Sequence, residues 1–200
     1  MEFVLASHNR GKLREMQQLL APLGATVKLP EDLGIDLEPE ETGETFRENS
    51  RIKAEAYFAV CGGAAVIADD SGLMVDALGG APGVRSARYG APECRTDADR
   101  NAHLLEALRD VPEGERGAQF VCAATCILPD GTVLTAEGVC RGTILTALQG
   151  EGGFGYDPLF YVPQLGRSYA ELLPEEKNRI SHRARAFAEL KARLEAFQEV

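Results

Sequence analysis

Long apolar runs are missing from this sequence. The longest unbroken ones, such as Ala56 to Cys61 and Ala64 to Ala68, fall far short of the roughly 20 residues that cross a bilayer as a helix. The opening residues, Met1-Glu2-Phe3-Val4-Leu5-Ala6-Ser7, have neither the basic n-region nor the long apolar core of a secretory signal. A cytoplasmic protein with no membrane association is expected. Positive charge is also scarce: 21 Lys and Arg against 31 Asp and Glu leave a net charge of −10. That balance argues against the basic footprint of a nucleic-acid binder. It leaves open a small polyanionic ligand, which needs only a local pocket of cations and a metal ion. The five cysteines (Cys61, Cys94, Cys122, Cys126, Cys140) contain no C-x-x-C, and His8, His103 and His182 show no zinc spacing. Cys122, Cys126 and Cys140 lie in strand-like stretches and are expected as small buried hydrophobes. Repeats, low-complexity tracts and obvious linkers are absent as well. Two hundred residues suffice for one domain, or one domain with two lobes, and can bury a full core without covalent staples.

The elements that are present alternate in type. Phe3-Val4-Leu5-Ala6 reads as a buried strand running into a polar loop. From Lys12, apolar residues at Leu13, Met16, Leu19, Leu20 and Leu23 recur at helical spacing until Gly24 stops them. Val27 to Leu29 suits a second strand. After an acidic, Pro-containing connection, Thr45 and Glu48 form a capping box for a helix that ends at Gly62-Gly63. Ala64 to Ala68 reads as a buried strand that ends at Asp69-Asp70-Ser71-Gly72. Thr96 to Arg109 is a third helix, with Thr96 and Asp99 as its cap. Gln119 to Leu128 and Thr132 to Arg141 flank the Pro129-Asp130-Gly131 turn and suit a long antiparallel hairpin. An amphipathic helix from about Ile180, carrying Phe187, Leu190, Leu194 and Phe197, closes the chain. The mixture points to an α/β fold with a mixed sheet and leaves room for two lobes.

Five segments have chemistry-bearing composition, each with an ordinary alternative. Ser7-His8-Asn9-Arg10-Gly11-Lys12 joins a strand to a helix start, where backbone N–H groups meet phosphates. It lacks Walker spacing, and a plain surface turn would look similar. Asp69 and Asp70, read at a strand end, are costly to desolvate unless paired or metal-bound. An acid there could hold Mg²⁺ and take a proton from an attacking water. Glu40-Glu41-Thr42-Gly43 is an acidic pair that matters only if it faces Asp70; Asn49 and Lys53 share a helix face and could point the same way. Gly153-Phe154-Gly155-Tyr156-Asp157-Pro158 offers aromatic surface with close backbone access, which suits a nucleobase; a tight turn with two core aromatics is the plain alternative. Lys177 to Arg183 places cations at the expected start of the last helix, against its dipole, which favours a bound anion. Together these are the parts that a nucleoside triphosphate needs.

In this order, six segments resemble the motifs of the inosine triphosphate pyrophosphatase (dITP/XTP pyrophosphatase) family. They are Ser-His-Asn-Arg-Gly-Lys from Ser7, Glu-Glu-Thr-Gly from Glu40, Ala-Asp-Asp-Ser-Gly-Leu from Ala68, Leu-Gly-Gly-Ala-Pro-Gly-Val-Arg-Ser-Ala-Arg-Tyr from Leu78, Gly-Gly-Phe-Gly-Tyr-Asp-Pro from Gly152, and Ser-His-Arg from Ser181. The likeness runs from about Phe3 to Phe197. It implies a single ITPase-like domain over residues 1–200, with an elongated mixed sheet, two α/β lobes around a central substrate cleft, and a homodimer. It also implies Mg²⁺-dependent hydrolysis of ITP, dITP and XTP to monophosphate and pyrophosphate. By position, Ser7, His8, Asn9, Arg10, Gly11 and Lys12 would hold the triphosphate, with Lys53 as a further phosphate contact. Asp70 would be general base and metal ligand beside Ser71, and Glu40 is favoured over Glu41 as the second ligand. Phe154, Gly155, Tyr156 and Asp157 would line the base pocket, and Lys177, His182 and Arg183 would complete substrate binding. Donors such as Arg183 or backbone N–H groups would favour the O6 acceptor of hypoxanthine and xanthine. His8 and Arg10 are not residues specified by the family's first motif.

Two other readings compete. A related pyrophosphatase acting on pyrimidine nucleotides, as in Maf-like proteins, would be separated by a substrate panel. A catalytically silent nucleotide sensor is disfavoured by the presence of both Asp69 and Asp70.

Overall fold

The computed structural model describes residues 2–198. Its strands are β1 (Glu2–Leu5), β2 (Thr26–Lys28), β3 (Ala65–Val75), β4 (Gly117–Ile127), β5 (Val133–Ile144), β6 (Phe160–Val162) and β7 (Arg167–Ser168). Its helices are α1 (Arg10–Leu20), α2 (Phe46–Phe58), α3 (Asp97–Ala107), α4 (Pro174–Ile180) and α5 (His182–Gln198). The seven strands form one sheet in the order β2-β1-β3-β4-β5-β6-β7. The β1 strand runs parallel to β2 and β3, whereas β6 is antiparallel to β5 and β7. The α/β class with a mixed sheet is therefore as expected from the sequence. No helix among the described residues is long and apolar enough to cross a membrane.

The chain divides into two compact units. The first comprises residues 1–70, 122–138 and 182–200, and the second residues 71–121 and 139–181. In the first unit the central strands are buried on both faces, as parallel strands covered by helices must be. Successive side chains alternate between two clusters. Phe3, Leu5 and Ile67 pack with Met16 and Leu20 of α1 and with Phe187, Leu190 and Leu194 of α5. Val4, Val66 and Ala68 pack with Ala54 and Tyr57 of α2. Each fully buried Leu or Phe contributes about 1.5–3 kcal/mol. Gly138 lets α5 approach: a Cβ there would lie 2.1 Å from the His182 carbonyl oxygen and 2.3 Å from the Ala186 nitrogen.

The second unit has its own core of Leu73, Val75, Leu104, Leu108, Phe120, Cys140, Leu159, Phe160 and Tyr169. Phe120 stacks on Tyr169 at 5.7 Å, and Phe160 meets both edge-on at 4.7 and 4.8 Å. Arg116 is buried here with its guanidinium donating to the carbonyls of Leu108, Val111 and Leu145.

Most local signals are used as read. Gly24 closes the α1 segment in the left-handed conformation (φ 62°). Both expected capping boxes, Thr45 with Glu48 and Thr96 with Asp99, are formed. Cys122, Cys126 and Cys140 are buried thiols, and burial pushes Cys126 up to about 12.

Three expectations change. The strand expected to end at Ala68 continues through Asp69-Asp70-Ser71-Gly72 to Val75, so the two acids lie within β3. The closing helix starts at His182, close to the expected Ile180, but a separate short helix, α4, precedes it and ends at Ser181, whose backbone is extended. Lys177 and Arg179 therefore fall in the last turn of α4, where the carbonyl end of the dipole favours cations, and the inferred mismatch is confined to Arg183 in the first turn of α5. Phe197 is exposed, so the apolar face of α5 ends at Leu194.

Candidate active site

In the first unit, β1 leads through Ser7 and His8 to Asn9, the N-cap of α1. The Asn9 Oδ1 accepts from the backbone N–H groups of Gly11 (2.8 Å) and Lys12 (3.2 Å), and Ser7 Oγ accepts from Asn9 N–H (3.2 Å). Capping satisfies donors that a helix start otherwise leaves open. His8 turns away: its Nε2 donates to the Leu37 carbonyl at 3.1 Å, which also accepts from the Tyr57 hydroxyl. Arg10 forms an exposed pair with Glu31 at 2.9 Å. Lys12 instead reaches into β3, with Nζ 3.0 Å from Asp69 Oδ1.

The adjacent acids of β3 point to opposite faces, as strand neighbours do, and meet different partners. Asp69 lies between Lys12 and Arg183, whose Nη2 and Nε are 3.2 and 3.3 Å from Asp69 Oδ2. Arg183 is fully buried and also pairs with Glu15. These carboxylates hold its guanidinium above its ordinary pKa despite burial. Asp70 accepts from Asn49 Nδ2 at 3.2 Å and lies 3.5 Å from Lys53 Nζ. Lys53 pairs more closely with Glu41, at 2.8 Å, in the acidic loop. Glu40, favoured from the sequence, is exposed, and its neighbour Glu41 makes the Lys53 contact. Asn49 is wholly buried and ties the pieces together: its Oδ1 accepts from Gly43 N–H at 2.8 Å while its Nδ2 donates to Asp70. Gly43 has no room for a side chain, since a Cβ would lie 2.6 Å from Glu48 Cβ and 2.7 Å from Asn49 Oδ1.

The electrostatics follow from the count of charges. Four carboxylates (Glu15, Glu41, Asp69, Asp70) face three cations (Lys12, Lys53, Arg183). Burial raises Asp70 above the ordinary carboxylate range; Lys53 opposes the shift and Glu41 reinforces it. Burial also acts against the charge on Lys53, but Asp70, Asp69 and Glu41 together outweigh it and raise its pKa. The two shifts have different causes: desolvation raises Asp70, whereas neighbouring carboxylates raise Lys53.

In the second unit, the segment from Gly153 to Asp157 is pinned along its length. Asp157 Oδ2 accepts from Phe154 N–H at 2.9 Å and from Lys177 Nζ at 2.7 Å. The Lys177 ammonium also lies 4.8 Å from the Phe154 ring centroid and 5.4 Å from that of Tyr169, within cation–π range. Tyr156 is buried, and its hydroxyl donates to the Ser86 carbonyl at 2.7 Å. Burial is the main reason that this phenol resists ionisation. Phe154 is 38% exposed, which makes it the aromatic face of the segment available for stacking.

Against these two clusters stand the comparisons with known proteins. The Ham1 family model matches residues 3–193. A dITP/XTP pyrophosphatase of Pseudomonas aeruginosa is 54% identical, with 96% of each chain covered. One from Thermus thermophilus is 50% identical, covering 100% of this chain and 93% of the relative. Among solved structures, the Ham1 protein of Staphylococcus aureus superimposes with a TM-score of 0.86 at 41% identity, covering 98% of this chain and 99% of the other. This chain belongs to the Ham1 family.

Within this Ham1 chain, the structure brings Lys12 and Arg183 together on Asp69, Lys53 and Asp70 together beside Glu41, and Phe154, Tyr156, Asp157 and Lys177 into one loop assembly. Ser71 follows Asp70 in β3, and His182 is buried at the start of α5. The side chains of His8, Asn9 and Arg10 are engaged with the protein's own backbone or with Glu31. Sequence reasoning read Asp69 only as one of a pair of acids and Asn49 only as a face-mate of Lys53, and did not single out Glu15. Asn49 had a signal in its i,i+4 relation to Lys53, whereas nothing local marked Glu15 as a partner of Arg183.

Proposed function

We propose that this chain is a nucleoside triphosphate pyrophosphatase that hydrolyses non-canonical purine nucleotides (ITP, dITP and XTP) to monophosphate and pyrophosphate. The observation that carries the reading is Asp70, a carboxylate 7% exposed whose burial raises it above the ordinary carboxylate range, in a chain about half identical to dITP/XTP pyrophosphatases. A carboxylate raised in this way is a better base near neutrality than an ordinary one. Asp70 would take the proton from a water attacking the α-phosphorus, with Asn49 fixing its orientation. Lys12 and Lys53 would meet phosphate oxygens, exchanging their present carboxylate partners for the substrate.

Mg²⁺ suits this pocket. Among the described residues no three His, Cys, Asp or Glu side chains form a ready cage, and Mg²⁺ uses one or two carboxylates with waters and phosphates instead. Asp70 and Glu41 would hold it, Glu41 taking the part first given to Glu40, and the surplus carboxylate charge favours a divalent cation. Bound there, it would offset charge on the phosphates.

Base recognition would fall to Phe154 for stacking and to Lys177 and Asp157 for polar contact. Arg183, enclosed by Asp69 and Glu15, serves the reading better as the cation that lets Asp69 stay buried than as a reader of O6. A homodimer in the cytoplasm completes the proposal, in keeping with the family likeness and with three thiols buried in apolar surroundings.

The test is pyrophosphate release from ITP, XTP, GTP and ATP with Mg²⁺. Turnover of ITP and XTP well above ATP is expected, with an acid limb above the ordinary carboxylate range. Equal turnover of ATP would refute the specificity, and tight ITP binding without release would leave a sensor. Sedimentation of the same preparation decides the dimer.

A further inference from the structure

Both polar groups of one peptide residue in the Phe154–Asp157 segment are held by one helix. Gly155 N–H donates to Asp97 Oδ2 at 2.7 Å, and the Gly155 carbonyl accepts from Asn101 Nδ2 at 2.9 Å. Asp97 and Asn101 are four residues apart and share a face of α3. Gly155 has φ 61°, a conformation that gives its peptide groups directions an ordinary residue rarely adopts. Asn101 is 4% exposed, and its Oδ1, itself buried, has no hydrogen-bond partner among the described residues. An unfilled buried acceptor is destabilising, so stability alone does not favour Asn at this position. The orientation of the amide is set by the Gly155 carbonyl, which needs a donor.

We infer that Asp97 and Asn101 are positioning residues for base recognition, aligning the Gly155 peptide so that Phe154 is presented in its stacking pose. With Phe154 N–H bound to Asp157 and Gly155 N–H to Asp97, neither amide is left for the base. Discrimination between purines then comes from the shape of the platform that α3 holds and from Lys177. The inference rests on the pyrophosphatase reading through its assignment of this segment to the base.

The experiment compares wild type, Asn101→Asp and Asp97→Asn. Asn101→Asp keeps size but sets an acceptor against the Gly155 carbonyl, whereas Asp97→Asn replaces the charged acceptor of Gly155 N–H with a neutral one. For Asn101→Asp, KM for ITP is expected to rise about tenfold, with kcat within about twofold and a narrowed ITP-to-ATP preference. Asp97→Asn should raise KM in the same direction by a smaller factor, about two- to threefold, because a neutral acceptor holds the Gly155 N–H more weakly. Because the chain contains no tryptophan, a Phe154→Trp reporter adds a signal that needs no turnover. Its fluorescence anisotropy without nucleotide should fall when Asn101→Asp is added. Unchanged anisotropy and KM, with only a lowered Tm, would overturn the inference and leave Asn101 a structural residue. If wild type fails to hydrolyse ITP, the proposed function fails, and the anisotropy still decides whether α3 positions the segment.

Discussion

The two clusters are preorganised by opposite means. The acids of β3 are held by charge: Asp69 and Asp70 are buried against Lys12, Arg183 and Lys53, and the balance remains negative. The Phe154–Asp157 segment is held at its peptide groups: the Asp157 and Asp97 carboxylates accept from the Phe154 and Gly155 N–H groups, Asn101 donates to the Gly155 carbonyl, the Tyr156 hydroxyl donates to Ser86, and Lys177 pairs with Asp157. A charge network tunes proton affinity and attracts ions, which suits hydrolysis at phosphorus. A pinned peptide fixes shape, which suits a flat, uncharged base. Substitutions in the first cluster should therefore change kcat or stability, and those in the second should change KM and preference.

The sharpest break is between two neighbouring carboxylates. Asp70→Asn should lower pyrophosphate release from ITP roughly a thousandfold, measured at saturating substrate. The fold should tolerate it. The Asp70 pKa is raised in the folded state, so between its ordinary value near 3.8 and the raised one the native protein binds more protons than the unfolded chain. Wild-type stability contributed by this group thus falls as pH rises through that window. Asp70→Asn should accordingly melt at or above the wild-type Tm at neutral pH, with the difference closing on acidification. Catalysis has the opposite sign, since the base must be ionised: the rate should rise with pH across the same window. A mutant that loses both activity and Tm would contradict the division of labour.

Asp69→Asn should do the reverse. Leaving Arg183 and Lys12 without their shared carboxylate costs about 3 kcal/mol, or roughly 6–12 °C in Tm for a chain of this size. The kcat of the protein that remains folded should fall much less than for Asp70→Asn. A thermal melt beside a rate measurement at low temperature separates the two.

The sequence already carried the scaffold for this comparison, because its signals are local. The Thr45 and Thr96 capping boxes and the Gly24 stop each need only a few adjacent residues, and all form. What was illegible depends on distant partners. Asp69 and Asp70 read as a strand end because two buried acids are costly; β3 continues through them because Lys12 lies 57 residues from Asp69 and Arg183 114 residues away. The choice between Glu40 and Glu41 turns on which side of an irregular loop faces Lys53, and no periodicity governs such a loop. Asn49 was readable from its spacing to Lys53, whereas Asp97 and Asn101 were not, since Gly155 lies 58 and 54 residues on.

In the second cluster, Lys177→Met should raise KM for ITP about tenfold with a smaller change in kcat, because Asp157 keeps only the Phe154 N–H as its named donor and Phe154 loses the cation over its ring. A titration with the monophosphate product gives the same comparison without turnover. A kcat loss matching that of Asp70→Asn would mean that this loop takes part in the chemistry and that the two clusters are not functionally distinct.

The smallest effect tests where the first cluster ends. Arg10 and Lys12 sit in one loop, two residues apart, yet the Arg10 side chain is 79% exposed against a half-exposed Glu31, while that of Lys12 is 16% exposed against a buried Asp69. A solvated pair is worth little, so Arg10→Ala should change stability by less than about 0.5 kcal/mol. If charge acts only where it is desolvated, kcat/KM for ITP should also stay within about twofold. Salt gives the control, because screening weakens exposed charges more than buried ones. Should Arg10→Ala instead raise KM about tenfold, with the loss shrinking at high salt, the guanidinium must leave Glu31 for a phosphate. The charged cluster would then extend to the exposed start of α1, and burial would no longer mark its boundary.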